Sequence, residues 1–303
     1  MSPMIPWREE HRTGRASLEA VTALLQRIRA AHPTACLYEA ADLQWWWRMP
    51  RPTDDVPQLF WFDDTGRPAA AAIVTAWRDH VAVDPLILPE AGPGRLVDVL
   101  ERGLAHAASL GYEAVSLEVD PAEHDVTDWL GRHGFTEDDG MFEGWLDTAT
   151  RPPVSALADG YRLRSRQQEP AGTHHLAARS GPEVEARLQQ TSLYRQDLDL
   201  LVLGPDGDVA ASGLFWFDPV TATGLVEPMR TEEAHQRRGL ARHVLTAGIA
   251  RLAEAGARRV KICWEPDHPA SGPLYTSVGF RPHRRTRTYA GATVIPPSSV
   301  EPC

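Results

Sequence analysis

Gln236-Arg237-Arg238-Gly239-Leu240-Ala241 stands where a polar loop turns into an apolar-periodic helix. A helix N-terminus leaves its first backbone N–H groups without partners and carries partial positive charge. Phosphates bind well at such an end. Gly239 lets a ligand approach the backbone closely, and Ala241 keeps the first turn thin. Gln236, Arg237 and Arg238 add donors around an anion. A solvated basic turn capping a helix uses the same residue types, so the surroundings have to separate the two readings. A strand over Ala222–Thr231 leads into the loop. The amphipathic helix, a second strand, a short helix carrying Tyr275 and the pair Gly279-Phe280 follow in order.

The elements that position this loop are written twice in the chain. Gln58–Trp77 and Leu198–Phe217 each read as strand, tight turn and strand, with Gly66 and Gly207 in the turns. Gly94–Gly111 and Gly239–Gly256 each carry the 3.6-residue apolar period and end on a capping glycine. A β-rich segment follows each, Ala114–Val119 and Arg259–Trp264. The same interval of 23 residues separates Gly111 from Gly134 and Gly256 from Gly279. The two Leu-Phe-Trp-Phe strings at Leu59 and Leu214 fall on different strands of the unit and do not belong to the repeat. The pattern predicts an α+β protein of two similar domains, each a mixed sheet flanked by helices. Their boundaries are 1–147 and 161–290, with a Pro-rich linker over 148–160 and a flexible tail over 291–303.

With both motifs in place, the chain resembles the GNAT superfamily of acyl-CoA-dependent N-acetyltransferases. Gln236–Ala241 matches its Q/R-x-x-G-x-G/A pyrophosphate loop, and Leu274–Phe280 is similar to its second motif, with Tyr275 at the place of the usual general acid. The strong resemblance covers roughly 198–289, and the whole is similar to tandem-GNAT proteins. The resemblance implies splayed sheets, acetyl-CoA as cosubstrate and no metal. It implies that backbone amides of Met229, Arg230 and Thr231 hold the pantetheine arm while Gln236, Arg237, Arg238, Gly239, Leu240 and Ala241 hold the diphosphate. His268 stands where an Asn commonly contacts the coenzyme, and Ser271-Gly272-Pro273 weakens the start of the helix that bears Tyr275.

Acyl transfer to an amine needs a base, an oxyanion donor and a proton for the departing thiolate. Tyr275 is the candidate acid and Glu227 the candidate base, with Glu265 and Asp267 as other bases. Carried back along the repeat, Arg237 and Arg238 become Gly92 and Pro93, Ala241 becomes Leu96, and Tyr275 becomes Leu130. The first half therefore reads as a degenerate copy without the coenzyme chemistry. The expected activity is transfer of acetyl from acetyl-CoA to a primary amine, by direct attack in a ternary complex. A non-catalytic acyl-CoA-binding or interaction protein is the alternative.

Composition sets the limits. A net charge of −10 argues against a nucleic-acid partner and favours a cationic small-molecule acceptor, with a peptide amine as the other class. The 3 cysteines, far apart, suggest a reducing cytoplasm and no disulfide framework. The longest apolar run, Ala69–Trp77, is too short to span a bilayer, so no membrane is expected, and the protein is expected as a monomer or homodimer. The histidines lack metal-ligand spacing, and His174 and His175, if extended, would point to opposite sides. Trp45-Trp46-Trp47 reads as core or interdomain packing, or as an aromatic wall for the acceptor. Arg281, Arg284, Arg285 and Arg287 read as a solvated strand face, or as neighbours of the coenzyme 3′-phosphate.

Overall fold

The structure, a computed structural model, describes residues 7–92 and 94–294. Pro93 and most of the expected tail, 295–303, lie outside the described residues. The first half runs β1 (Arg8–Arg12), α1 (Gly14–Ala31), α2 (Ala40–Trp46), β2 (Gln58–Phe62), β3 (Pro68–Ala76), β4 (Val81–Ile87), α3 (Arg95–Ser109), β5 (Ala114–Val119), α4 (His124–Arg132) and β6 (Thr136–Asp147). The second runs β7 (Arg162–Ser165), α5 (Ala177–Ser180), α6 (Val184–Leu188), β8 (Asp199–Leu203), β9 (Val209–Asp218), β10 (Thr223–Thr231), α7 (Leu240–Ala255), β11 (Arg259–Trp264), α8 (Ser271–Val278) and β12 (Arg281–Ala292). The repeat read from the sequence is thus an element-by-element repeat. No helix among the described residues is long and apolar enough to cross a membrane.

The chain folds as two compact units that do not follow its halves. Unit 1 comprises residues 1–37, 51–140 and 286–303, and unit 2 comprises 38–50 and 141–285. In unit 1, β1 to β4 form an antiparallel meander, β5 adds to β4 in parallel, and β12 pairs antiparallel with β5 from Arg287↔Val119 to Ala292↔Ala114. In unit 2, β7 to β10 form the meander, β11 adds to β10 in parallel, and β6 pairs antiparallel with β11 from Arg259↔Asp147 to Trp264↔Phe142. Each half therefore gives its last strand to the other half's sheet. Pairing of β6 with β5, which the repeat alone would suggest, does not occur because β12 holds that edge.

The segment expected as a loose linker is fixed on unit 2. The Ser155 N–H donates to Thr246 Oγ1 at 3.0 Å, and His243 Nδ1 meets the Ser155 carbonyl at 2.6 Å, both on α7. Of the expected tail, Gly291 and Ala292 belong to β12, and the Thr293 N–H donates to the Glu113 carbonyl at 3.0 Å.

Helices α3 and α7 each cross their sheet at a glycine. A Cβ at Gly103 of α3 would come within 2.8 Å of Val83, and one at Gly248 of α7 would overlap the Phe215 ring. In unit 2 this close approach closes a core of Phe215, Phe217, Val244, Leu245, Ile249, Leu252, Val260 and Ile262. Alternate residues of β10 and β11 point to opposite faces of the sheet. Val226, Val260 and Ile262 go into that core, while Glu227, Lys261 and Cys263 face the other way.

The exchange yields a test. Residues 1–150 and 151–303, expressed separately, each lack an edge strand and part of a core. Co-expression should restore a complex that binds coenzyme A. A 151–303 fragment that alone gives a cooperative melt and binds the coenzyme would contradict the interlock.

Candidate active site

The site forms where β10 and β11 part. Their parallel register covers only Thr223–Leu225 against Arg259–Lys261. Beyond it β10 carries a bulge between Val226 and Met229 and stays paired only with β9. The divergence opens a cavity of about 600 Å³, within the range that holds small-molecule cofactors. Met229, Arg230, Thr231, Gln236, Arg237, Gly239, Leu240, Ala241 and His268 line it, together with Tyr275 at its α8 wall.

One expected residue is missing from that wall. Arg238 is exposed and does not line the cavity, whereas Arg242, one helical turn further on, does. Arg237 and Gly239 both take positive φ, 64° and 77°, so the backbone between them curls and turns the Arg238 side chain away. Arg242 also donates to Ser277 Oγ at 2.5 Å. Pro269, Ala270, Ser271 and Leu274 complete the lining.

The cavity is fitted for an anion and a polar arm. No side chain among the described residues caps α7 at Gly239, and a Cβ placed there would meet nothing within 4 Å. The buried hydroxyls of Thr231 and Ser271, both on the cavity, have no hydrogen-bond partner. Buried polar groups are seldom left so. The loop leading to Gly239 is anchored by a residue that the sequence did not single out. His235 Nε2 meets Asp208 Oδ2 at 2.8 Å, and its Nδ1 meets the Tyr161 hydroxyl at 3.0 Å. A tautomer with the proton on Nε2 satisfies both contacts.

At the corresponding end in unit 1 one N–H is taken up by a side chain. The Gly94 N–H donates to Asp125 Oδ2 at 3.1 Å. By the repeat, Asp125 corresponds to Ala270, whose small side chain leaves the unit 2 cavity open. Leu130, the counterpart of Tyr275, is wholly buried in the unit 1 core, and Leu96 packs against that core.

Helix α8 begins at Ser271 with Pro273 inside its first turn, a position proline tolerates. His268 Nδ1 accepts from the Ser271 N–H at 3.1 Å and so caps this helix from the cavity rim. The Tyr275 ring packs edge-on against Trp264, with centroids 5.8 Å apart, and against Phe280. Burial, and then the Glu227 carboxylate with a smaller effect of Cys263, push its phenol up to about 12. It is therefore protonated near neutrality.

Glu227 is not on the cavity wall but precedes it on β10, half-buried. Burial, followed by the Asp42 carboxylate, raises its carboxyl to about 7, against the pull of Arg48 and Lys261 and a hydrogen bond from Trp45. The Trp216 indole N–H donates to the Glu227 carbonyl at 2.8 Å and fixes the backbone there. Glu265 and Asp267 are both exposed and off the cavity wall.

One other expectation changes. His174 and His175 do not diverge: their rings stack with centroids 4.6 Å apart, and both turn to buried Asp199. The chain there is a turn, closed by the Ala177 N–H on the His174 carbonyl at 2.8 Å, not an extended segment. His174 Nδ1 accepts from the Leu176 N–H at 3.2 Å, so its proton sits on Nε2 and goes to Asp199 Oδ2 at 3.0 Å. The three side chains are close enough to hold a metal ion, but with that tautomer His174 presents a donor, not a lone pair, to its neighbours.

The tryptophan run separates by residue: Trp45 is buried, Trp46 meets Tyr38 edge-on at 5.1 Å, and Trp47 lies under the Arg187 guanidinium at 3.9 Å. Of the arginine run, Arg284 pairs with Glu143, Arg285 lies over Phe142, and Arg287 pairs with Glu137 and Asp139; Arg281 is exposed.

Two outcomes follow. Arg237→Ala and Arg242→Ala should each weaken coenzyme A about tenfold in calorimetry, the loss expected of one charged hydrogen bond, and Arg238→Ala should cost less. An Arg238→Ala loss larger than both would contradict the lining. For Glu227, the folded carboxyl keeps its proton up to about 7, while the unfolded one releases it near 4.5. Its contribution to stability is therefore fully present below 4.5 and is lost as pH rises to 7. The melting temperature of Glu227→Gln relative to the unaltered chain should rise between pH 5 and pH 8; a difference constant with pH would contradict the raised carboxyl.

Comparison with known proteins agrees with this geometry. Residues 161–280 match the acetyltransferase (GNAT) family model. Mycothiol acetyltransferase of Tsukamurella paurometabola is 24% identical over 236 residues, covering 68% of this chain and 81% of that protein. Among solved structures, a tandem GNAT protein from the clavulanic acid biosynthesis pathway aligns with a TM-score of 0.66 at 15% identity, over 96% of this chain and 99% of that one. A GCN5-related N-acetyltransferase from Sphaerobacter thermophilus aligns at 0.58 and 18% identity, over 97% and 98%. The fold is that of these structures. The family match falls on the part of the chain that carries the open cavity and supports an acyltransferase of the GNAT type there, while the chain as a whole shares the fold of a tandem GNAT protein.

Proposed function

We propose that the chain transfers an acetyl group from acetyl-CoA to the primary amine of a small molecule, in a ternary complex and without a covalent enzyme intermediate. The observation that carries this reading is that one cavity is lined both by the uncapped start of α7 and by Tyr275. The helix start, Arg237 and Arg242 would hold the diphosphate, and Met229–Thr231 the pantetheine arm. Such binding aims a thioester along the opened edge of β10, and holding two reactants in line supplies much of the acceleration. The name of the Tsukamurella relative, mycothiol acetyltransferase, supports a small-molecule acceptor.

The proton balance assigns the two side chains. An alkyl ammonium, with a pKa of about 10, must lose a proton before its nitrogen can attack the thioester carbon. Glu227, poised at about 7, accepts it, directly or through water. As the C–S bond breaks, Tyr275 gives its phenolic proton to the sulfur. A phenol at about 12 is a weaker acid than a thiol in water, which has a pKa of about 8.5. The transfer therefore depends on the same dry surroundings raising the thiol as well.

Screening amines by free-thiol release tests the activity. On an amine that reacts, Tyr275→Phe should lower turnover by about 10²-fold or more while coenzyme affinity holds. An unchanged rate would remove Tyr275 from the mechanism. The base form of Glu227 is lost as pH falls through about 7, so kcat/KM should fall about tenfold per unit below that pH. Glu227→Gln should lack this limb. Coenzyme binding with no thiol release from any amine would favour a non-catalytic binding protein.

A further inference from the structure

The linker runs along α7 from the end of that helix to its start. Thr148 Oγ1 donates to the Ala257 carbonyl at 2.7 Å, just past the last turn. Ser155 is bonded to Thr246 and His243 midway. Gly160 turns at φ 81° against the β8–β9 hairpin, where a Cβ would lie 3.4 Å from Pro205. Tyr161 then places its hydroxyl 3.0 Å from His235 Nδ1, with the two rings edge-on and their centroids 5.8 Å apart. Every one of these contacts lies within unit 2.

His235 closes the 3₁₀ turn Glu233–His235 and directly precedes Gln236. Its own N–H donates to the Glu232 carbonyl at 2.9 Å. Three segments therefore meet on this residue: the linker end through Tyr161, the hairpin turn through Asp208, and the 3₁₀ turn itself. The hairpin comes so close that a Cβ at Gly204 would lie 3.3 Å from the His235 ring. The His235 side chain is only 16% exposed. Beyond it Gln236, Arg237, Arg238 and Gly239 are all exposed, and Arg237 holds a φ of 64° that few residues with a side chain take. Such a conformation persists only where its surroundings dictate it. Gln236 reaches only back, to the Thr231 carbonyl at 3.4 Å. Unit 1 is built differently at this point. By the interval that relates Gly239 to Gly94, His235 corresponds to Glu90, an exposed carboxylate, and there Asp125 takes up the Gly94 N–H.

We propose that the linker is a strap that sets the diphosphate loop: Tyr161 and Asp208 hold the His235 ring from two sides and so fix the backbone from which Gln236–Gly239 meet the cavity. The three are positioning residues, and none of them lines the cavity. The Asp208 carboxylate only accepts, so His235 Nε2 carries the proton and Nδ1 takes the Tyr161 hydroxyl hydrogen. Removing either partner frees the ring to turn and lets the strained loop relax. The loss then falls on the part of the ligand that the loop holds. The arm laid along Met229–Thr231 does not depend on it. The proposal rests on coenzyme A occupying this cavity.

The experiment compares two ligands on the full chain: coenzyme A by calorimetry, and pantetheine, which has the arm without the diphosphate, by NMR titration. Tyr161→Phe keeps the edge-on ring and removes only the hydroxyl. Asp208→Ala removes the other partner from an exposed turn. Each should weaken coenzyme A about fivefold and leave pantetheine within about twofold. In an Arg237→Ala background the Tyr161→Phe loss should shrink to about twofold, because both changes act on one loop. Unchanged coenzyme A affinity, equal losses for the two ligands, or fully additive losses in the double variant would overturn the proposal. If coenzyme A fails to bind even the unaltered chain, the reading of the cavity fails and the strap with it. If it binds and the variants hold it as tightly, the strap alone fails. Should Asp208→Ala not fold, Tyr161→Phe decides alone.

Discussion

Two parallel strands that stay together for three residues and then part create almost everything this molecule has to work with. Once β11 leaves β10, the backbone of Met229–Thr231 is exposed along one edge, and burying that edge without a partner would be costly. The same gap receives the start of α7, whose first N–H groups are equally unpartnered. An extended polar arm ending in a diphosphate, as proposed, would satisfy both at once. Glycine is required at 239 because the chain turns there at φ 77° into a helix, with open space where a side chain would stand.

Unit 1 repeats the geometry with one change at the helix start. Gly94 keeps positive φ and open space around it, as Gly239 does. Its N–H group is nevertheless satisfied by Asp125, from within the same unit. The unpaired helix end is a physical demand, met by the protein's own carboxylate in one copy and left open in the other. Between them, the exchanged strands β6 and β12 make each copy depend on the other half for a complete sheet.

Much of this is legible along the chain. Apolar period, turn glycines and the matching intervals gave the elements, because those signals are local. That Gln236–Ala241 and Tyr275 belong to one site was legible because a loop, a helix start and a second short helix stand in fixed order, and all of them but Arg238 line one cavity. Long-range pairing is what the chain does not write down. Nothing in Thr136–Asp147 distinguishes a strand that pairs with β5 from one that pairs with β11. The outward direction of Arg238 was not legible for a finer reason: the positive φ of Arg237 is unusual for a residue with a side chain, and it redirects its neighbour. The sequence did carry one usable sign that went unread, the aspartate at 125 standing where the other copy has Ala270.

The most direct test of the central claim is an amide-resolved NMR titration of the deuterated, ¹⁵N-labelled chain with coenzyme A. Saturable shifts of the Gly239, Leu240, Ala241 and Arg242 amides, with Gly94, Arg95 and Leu96 unmoved, are the result expected if the open helix start grips the diphosphate. Silent amides at the start of α7 under saturating coenzyme, or shifts centred on the start of α3, would contradict it.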